Sequence, residues 1–246
     1  MKTKKIPKAQ EGLTPDYWRQ LAVFDPLNFK TPVHIIGVGA TGSWIALILA
    51  KMGVSTMTLW DFDAVEIHNP PNQAYGLGEV GLLKVEAMKK ILERDCGVKV
   101  TAKAEEVDGT QPLSGIVYVC TDDMKSRLKI WEKALKLNLR VDLVVETRLA
   151  AELGLIYTVR PISAEDIDGY EDTLYSDEEA EESACNYRAI STMVTVLAGI
   201  AAHKLVKLAS GKLFRPVVKL TESAEHESAG MVCINPIIAT TNAWGK

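Results

Sequence analysis

The run Gly37-Val38-Gly39-Ala40-Thr41-Gly42 constrains this chain more than any other segment. It closes VHIIGV (33–38), whose β-branched residues read as a strand buried on both faces. It opens onto SWIALILAKMG (43–53), apolar almost all round, as a helix packed on a sheet is, with Gly53 placed to stop it. Three glycines at this spacing between a strand and a helix have a mechanical meaning. Gly37 allows a tight turn, Gly39 a close backbone approach to a ligand, and Gly42 tight packing of helix on strand. The helix N-terminus then attracts phosphate oxygens.

The rest of the chain continues the alternation. STMTLWDFD (55–63) is a second strand ending in acids, and the Asn- and Pro-rich EIHNPPNQAYGLGE (66–79) is a loop. VGLLKVEAMKKILERD (80–95) has helical spacing, VKVTAKAEEV (98–107) alternates, and GIVYVC (115–120) is a buried strand leading to Asp122 and Asp123. An amphipathic helix (123–138), two strands within 140–161 and an apolar helix (189–209) follow. This order predicts a Rossmann-like open α/β sheet, parallel at first and mixed in the second half, with helices on both faces. Residues 1–30 form an N-terminal arm, and 31–246 a nucleotide-binding domain in which 162–184 is an acidic crossover loop.

Charge and cysteine usage exclude several classes. A net charge of −4 argues against a nucleic-acid surface, which needs a surplus of Lys and Arg. Cys96, Cys120, Cys185 and Cys233 stand alone with no C-x-x-C pair, so no zinc is expected and a reducing compartment suits the chain. The apolar stretch 189–202 is shorter than the roughly 20 residues of a membrane span. The basic N-terminus lacks the apolar run of a signal peptide. The expectation is a cytoplasmic protein without a membrane partner. Cys120 and Cys233 read as packed thiols, His34 and His203 as structural, and His68 as a solvated loop residue.

Asp61, at the end of the second strand, is in place for a ribose hydroxyl of NAD, FAD or ATP. The glycine run alone favours a nicotinamide-dependent dehydrogenase, although no Tyr-x-x-x-Lys pair accompanies it. An ordered series shifts the balance: GVGATGSWIALILAKMGV, TLWDFDAVEIHNPPNQ, GEVGLLKVEAMKK and VCTDDMKSR. From Val33 to about Leu128 this series resembles the ThiF/MoeB adenylyltransferases, the family of ubiquitin-activating enzymes. Dehydrogenases share only its glycine run.

The resemblance implies ATP- and Mg-dependent adenylation of the C-terminal carboxylate of a ubiquitin-like or sulfur-carrier protein, with release of pyrophosphate. It implies a homodimer and a partner with a flexible Gly-ending tail. Gly37, Gly39, Gly42, Asp61, Asp63, Asn69, Asn72, Gln73 and Lys84 would form the ATP site, with Asp122 holding magnesium. Arg127 either braces the turn around Asp122 or makes a surface salt bridge. Asn72 stands where many relatives carry arginine and lacks its charged fork. Arg19, in YWRQ, resembles an arginine that relatives lend to the partner subunit. Cys185 resembles a cysteine near the crossover loop that accepts an acyl group, an ordinary loop cysteine being the alternative. The competing functions are an NAD(P)-dependent oxidoreductase and a catalytically silent nucleotide-binding adaptor.

Overall fold

The structure, a computed structural model, describes residues 15–149, 153–175, 191–212, 217–221 and 233–235. The elements are β1 (Val33–Ile36), α1 (Ala40–Lys51), β2 (Met57–Trp60), α2 (Lys84–Cys96), β3 (Thr101–Lys103), β4 (Gly115–Val119) and α3 (Met124–Ile130). They continue with β5 (Val141–Leu149), β6 (Leu153–Val159), α4 (Ala164–Glu171), α5 (Ser191–Ala209), β7 (Val217–Thr221) and β8 (Cys233–Asn235). One eight-stranded sheet runs β3-β2-β1-β4-β5-β6-β7-β8. Its first five members are parallel, and β5 to β8 pair antiparallel, the mixed architecture the sequence predicts.

The period of two in each strand distributes the core. Val33 and Ile35 of β1, Met57 and Leu59 of β2, and Leu143 and Val145 of β5 face the buried sides of α1, α2 and α5. Ile36, Trp60, Val117 and Val144 point the other way, toward Trp131 beyond α3 and Ile167 and Tyr170 of α4. Helix α5 has 19 residues, long and apolar enough by composition to cross a membrane, contrary to the shorter stretch read from sequence. Its Val194, Leu197, Ala198, Ala201, Ala202 and Leu205 are fully or nearly fully buried, and it packs along α1 as a core helix does.

Three expectations change. Within the predicted crossover loop, residues 164–171 form α4. Ser163 caps it by accepting from Asp166 N, while Glu165 and Asp166 suit the positive helix start. Ile167 and Tyr170, three residues apart, supply its buried face, which an average over an acidic segment hides. Strands β7 and β8 lengthen the sheet where no strand is predicted. His203 lies on the exposed side of α5 and holds no structural place among the described residues. Residues 176–190, with Cys185, and the Cys233 side chain lie outside those described.

His34 matches its structural reading: it is buried on β1, and its Nδ1 accepts from Trp60 Nε1 at 3.2 Å. Burial holds the imidazole below its ordinary 6.5. As pH falls through that value the unfolded chain takes up a proton that the folded chain resists, so stability is lost on the acid side. The expected dependence reaches at most about 1.4 kcal/mol per pH unit below pH ~6.5. Urea unfolding of wild type and His34→Gln across pH 5–8 checks this: the acid-side slope should be shallower in the variant.

Candidate functional site

The strand order reverses around β1, whose neighbours β2 and β4 lead away in opposite directions. In an open α/β sheet the crevice at the carboxyl ends of such strands is where ligands bind. Gly37 sits there with φ +83°, and a Cβ on it would lie 2.8 Å from the Cys120 carbonyl oxygen at the end of β4. A Cβ on Gly42 would lie 1.9 Å from the Gly37 carbonyl oxygen. Both glycines are therefore required by the protein's own packing. Gly39 differs: a Cβ there meets nothing within 4 Å among the described residues. The open space above Gly39, at the first turn of α1, has room for a ligand.

Asp61 leaves the end of β2 and closes the turn. Its Oδ2 accepts from Val38 N at 2.7 Å and its Oδ1 from Asp63 N at 2.9 Å. Burial pushes the carboxyl up from its ordinary range, against the lowering influence of Lys84 and the two backbone N–H groups. A carboxylate has further lone pairs, so both bonds leave capacity for a ribose hydroxyl.

A bridge between Ala64 and Leu83 lays the loop after β2 beside the start of α2. It brings Lys84 Nζ to Asp63 Oδ2 at 2.7 Å, with the lysine side chain only 12% exposed. Tyr75 fastens the loop to the glycine turn by donating to the Val38 carbonyl at 2.7 Å. Asn69 is buried and uses its Oδ1 to accept from Glu66 N, so that oxygen serves the loop. Trp44 Nε1 donates to the Asn72 carbonyl at 3.1 Å, holding that residue beside α1. Gln73 is 9% exposed and its Oε1 is buried without a partner among the described residues, as is Thr121 Oγ1 beside Gly37. Open backbone at Gly39 and unpaired polar atoms on nearby segments fit a polar ligand.

Asp122 stands exposed at the carboxyl end of β4, with no ion pair among the described residues. Asp123 beside it caps α3, accepting from Ser126 N at 2.7 Å. Burial would raise the Asp123 carboxyl, yet the hydrogen bonds from Ser126 and the Arg127 charge hold it below its usual range. Arg127 is buried and its Nη2 donates to the Thr121 carbonyl, so it braces this turn instead of making a surface bridge. No three His, Cys, Asp or Glu side chains among the described residues cluster as a ready-made metal site. A lone exposed carboxylate suits Mg²⁺, which is held by one or two carboxylates together with a substrate's phosphates. The Cys120 thiol, half-buried at this strand end, is pushed up to about 12 by burial and is a poor nucleophile.

Arg19 is not brought to this site within the chain. Gln20 Nε2 donates to the Met52 carbonyl, and Tyr17 and Pro26 pack on Gly53, just past the end of α1. The 12 residues of α1 separate that end from Gly39 by about 18 Å. Arg19 instead lies over the Trp18 ring, 5.3 Å from its centroid.

The ThiF family profile matches residues 26–233, most of the chain. The chain belongs to the ThiF family. Ubiquitin-like modifier-activating enzyme 5 of Caenorhabditis briggsae is 38% identical over 69 residues, 28% of this chain and 16% of that protein. The tRNA threonylcarbamoyladenosine dehydratase of Escherichia coli is 37% identical over 72 residues, 28% of this chain and 27% of that protein. The chain thus spans well under a third of either relative. Among solved structures, E. coli MccB with ATP superposes with a TM-score of 0.63 at 18% identity, over 78% of this chain and 61% of that one. The fold is therefore the ThiF-family Rossmann-like sheet.

Proposed function

We propose that this chain adenylates a carboxylate at the end of a ubiquitin-like protein or a peptide, with ATP as co-substrate. The observation that carries the reading is the convergence at the ends of β1, β2 and β4: open backbone at Gly39, Asp61 and Lys84 beside it, and exposed Asp122. Family membership supports it, as do relatives and neighbours that activate a modifier or were solved with ATP.

In this reading Asp61 holds the ribose and the backbone after Gly39 receives the phosphates. One oxygen of the ionised carboxylate forms a bond to the α-phosphorus while the bond to the bridging oxygen of pyrophosphate breaks. No proton moves, so no general base is needed. The chain's contribution is orientation and charge neutralisation. Asp122 would hold magnesium, which when bound neutralises charge on phosphate oxygens. A homodimer would let Arg19 serve the partner subunit's site, offsetting the neutral Asn72.

Lys84 tests the site's electrostatics, because Asp63 already pairs with it. If Lys84 serves phosphate, Lys84→Met and Asp63→Asn act in opposite directions. The first is expected to weaken ATP binding about tenfold or more, and the second to strengthen it by releasing the cation. Calorimetric titration with ATP measures both, and equal losses would reduce Lys84 to a fastener of the loop.

The first experiment is thermal unfolding with Mg-ATP, ATP plus chelator, and NAD. A ligand at 100 times its Kd adds about 2.7 kcal/mol, several degrees for a chain of this size. A magnesium-dependent ATP shift supports the reading, and pyrophosphate exchange with candidate C-terminal peptides follows. A shift with NAD alone replaces it with the oxidoreductase. ATP binding without exchange for any acceptor favours the silent adaptor.

A further inference from the structure

Glu146 is fully buried near the carboxyl end of β5. A carboxylate taken out of water keeps its charge only when cations and hydrogen bonds replace the solvent. Two arginines do so at the same carboxylate oxygen. Arg127 Nε lies 3.4 Å from Glu146 Oε1, and Arg148 Nε donates to the same oxygen. The Tyr170 hydroxyl of α4 donates to Oε2.

Each arginine also holds a backbone carbonyl. Arg127 Nη2 donates to the carbonyl of Thr121, the residue before Asp122, and to that of Thr147 at 3.2 Å. Arg148 Nη1 donates to the Thr173 carbonyl at 2.7 Å and its Nη2 to Thr173 Oγ1 at 3.2 Å, just past the end of α4. Its guanidinium lies 4.3 Å from the centroid of the Tyr157 ring. Arg127 and Glu146 meet as an ion pair without a hydrogen bond between them, and through that pair and Arg148 the peptide unit preceding Asp122 is linked to the segment just past α4.

We propose that Glu146 is a positioning residue, the shared anchor through which Arg148, Tyr170 and Arg127 together fix the turn that presents Asp122. This rests on the adenylating reading, in which Asp122 receives the metal. Apolar residues would fill the same space at equal or better stability. What the ionic version adds is direction: a planar guanidinium held beside a fixed anion aims its donors along set lines, here at the Thr121 and Thr147 carbonyls. Asp122, exposed and with no ion pair among the described residues, takes its direction from the peptide before it.

The test is the full chain titrated calorimetrically with ATP, in saturating Mg²⁺ and in chelator, for wild type, Asp122→Ala, Tyr170→Phe, Arg148→Lys and the double variant Asp122→Ala/Arg148→Lys. The ratio of the two affinities is the metal–nucleotide coupling. Tyr170→Phe and Arg148→Lys, neither of which touches the site, are expected to cut that ratio about fivefold or more. Their affinity for ATP in chelator should stay within about twofold of wild type. The double variant should equal Asp122→Ala alone, since the relay acts only through that carboxylate. Tyr170→Phe removes a single hydroxyl and carries the test if Arg148→Lys fails to fold. A full wild-type ratio in Tyr170→Phe, or additive losses in the double variant, overturns the relay and leaves the adenylating reading standing. Wild type that binds ATP with no gain from magnesium also overturns the relay. Wild type that binds no ATP under either condition removes the reading itself, and the relay with it.

Discussion

Asp122→Ala is expected to lower adenylation by two to three decades, about 3–4 kcal/mol of transition-state stabilisation, the cost of removing one preorganised charged group. The fold should not register the change. Asp122 is exposed and pairs with no described residue, and the helix after it is capped by Asp123. Surface substitutions of that kind stay within about 0.5 kcal/mol. Pyrophosphate exchange with a responsive acceptor, measured beside the thermal midpoint, separates the two quantities. Asp123→Ala is the control with the opposite signature, because it removes the cap of α3 and should cost about 1 kcal/mol of stability. Equal activity in wild type and Asp122→Ala would remove this carboxylate from the chemistry.

The second large effect comes from one substitution made at two glycines. Gly42→Ala forces a methyl to within 1.9 Å of the Gly37 carbonyl oxygen, and neither partner is a side chain that could turn aside. The expected loss is about 3 kcal/mol, the upper end of the usual overpacking cost. Gly39→Ala meets open space, so its stability cost is limited to a poorer helix N-cap, about 1 kcal/mol. Its methyl enters the volume assigned to the phosphates, and ATP affinity should fall about tenfold or more. Chemical unfolding and ATP titration of both variants check the pair. A Gly39→Ala protein that binds ATP as wild type does would show that the nucleotide lies elsewhere.

What the sequence made legible is what short-range chemistry determines. A strand, a turn and a helix adjacent in the chain place Gly37, Gly39 and Gly42, and the end of the next strand places Asp61. The Lys84–Asp63 pair was half legible: both residues stood out, but their contact depends on the Ala64–Leu83 bridge. Glu146 and Arg148 were passed over. Charges two apart in an alternating strand read as its wet face, and α4 together with Arg127 of α3 covers that face and makes it dry. The acidic composition of 162–184 predicts a loop, so no element is expected to cover them. Arg19 is a different case: its neighbours Tyr17 and Gln20 fasten it beside the end of α1 remote from the turn of its own chain, and the role the resemblance implies for it belongs to a second copy.

The contact between Gly42 and Gly37 has an electrical side. With no side chain between them, the first turn of α1 stands as near the end of β1 as two backbones can, and its unpaired N–H groups face the space above Gly39. The aligned peptides bring roughly half a positive charge to that point. Lys84, the side-chain cation assigned to phosphate, is already matched by Asp63. The pull on an incoming anion therefore originates mainly in peptide groups, which have no proton to lose. Nucleotide affinity carried by such groups does not titrate, and a pH response of the protein's own enters through carboxyls such as Asp61, which burial pushes up.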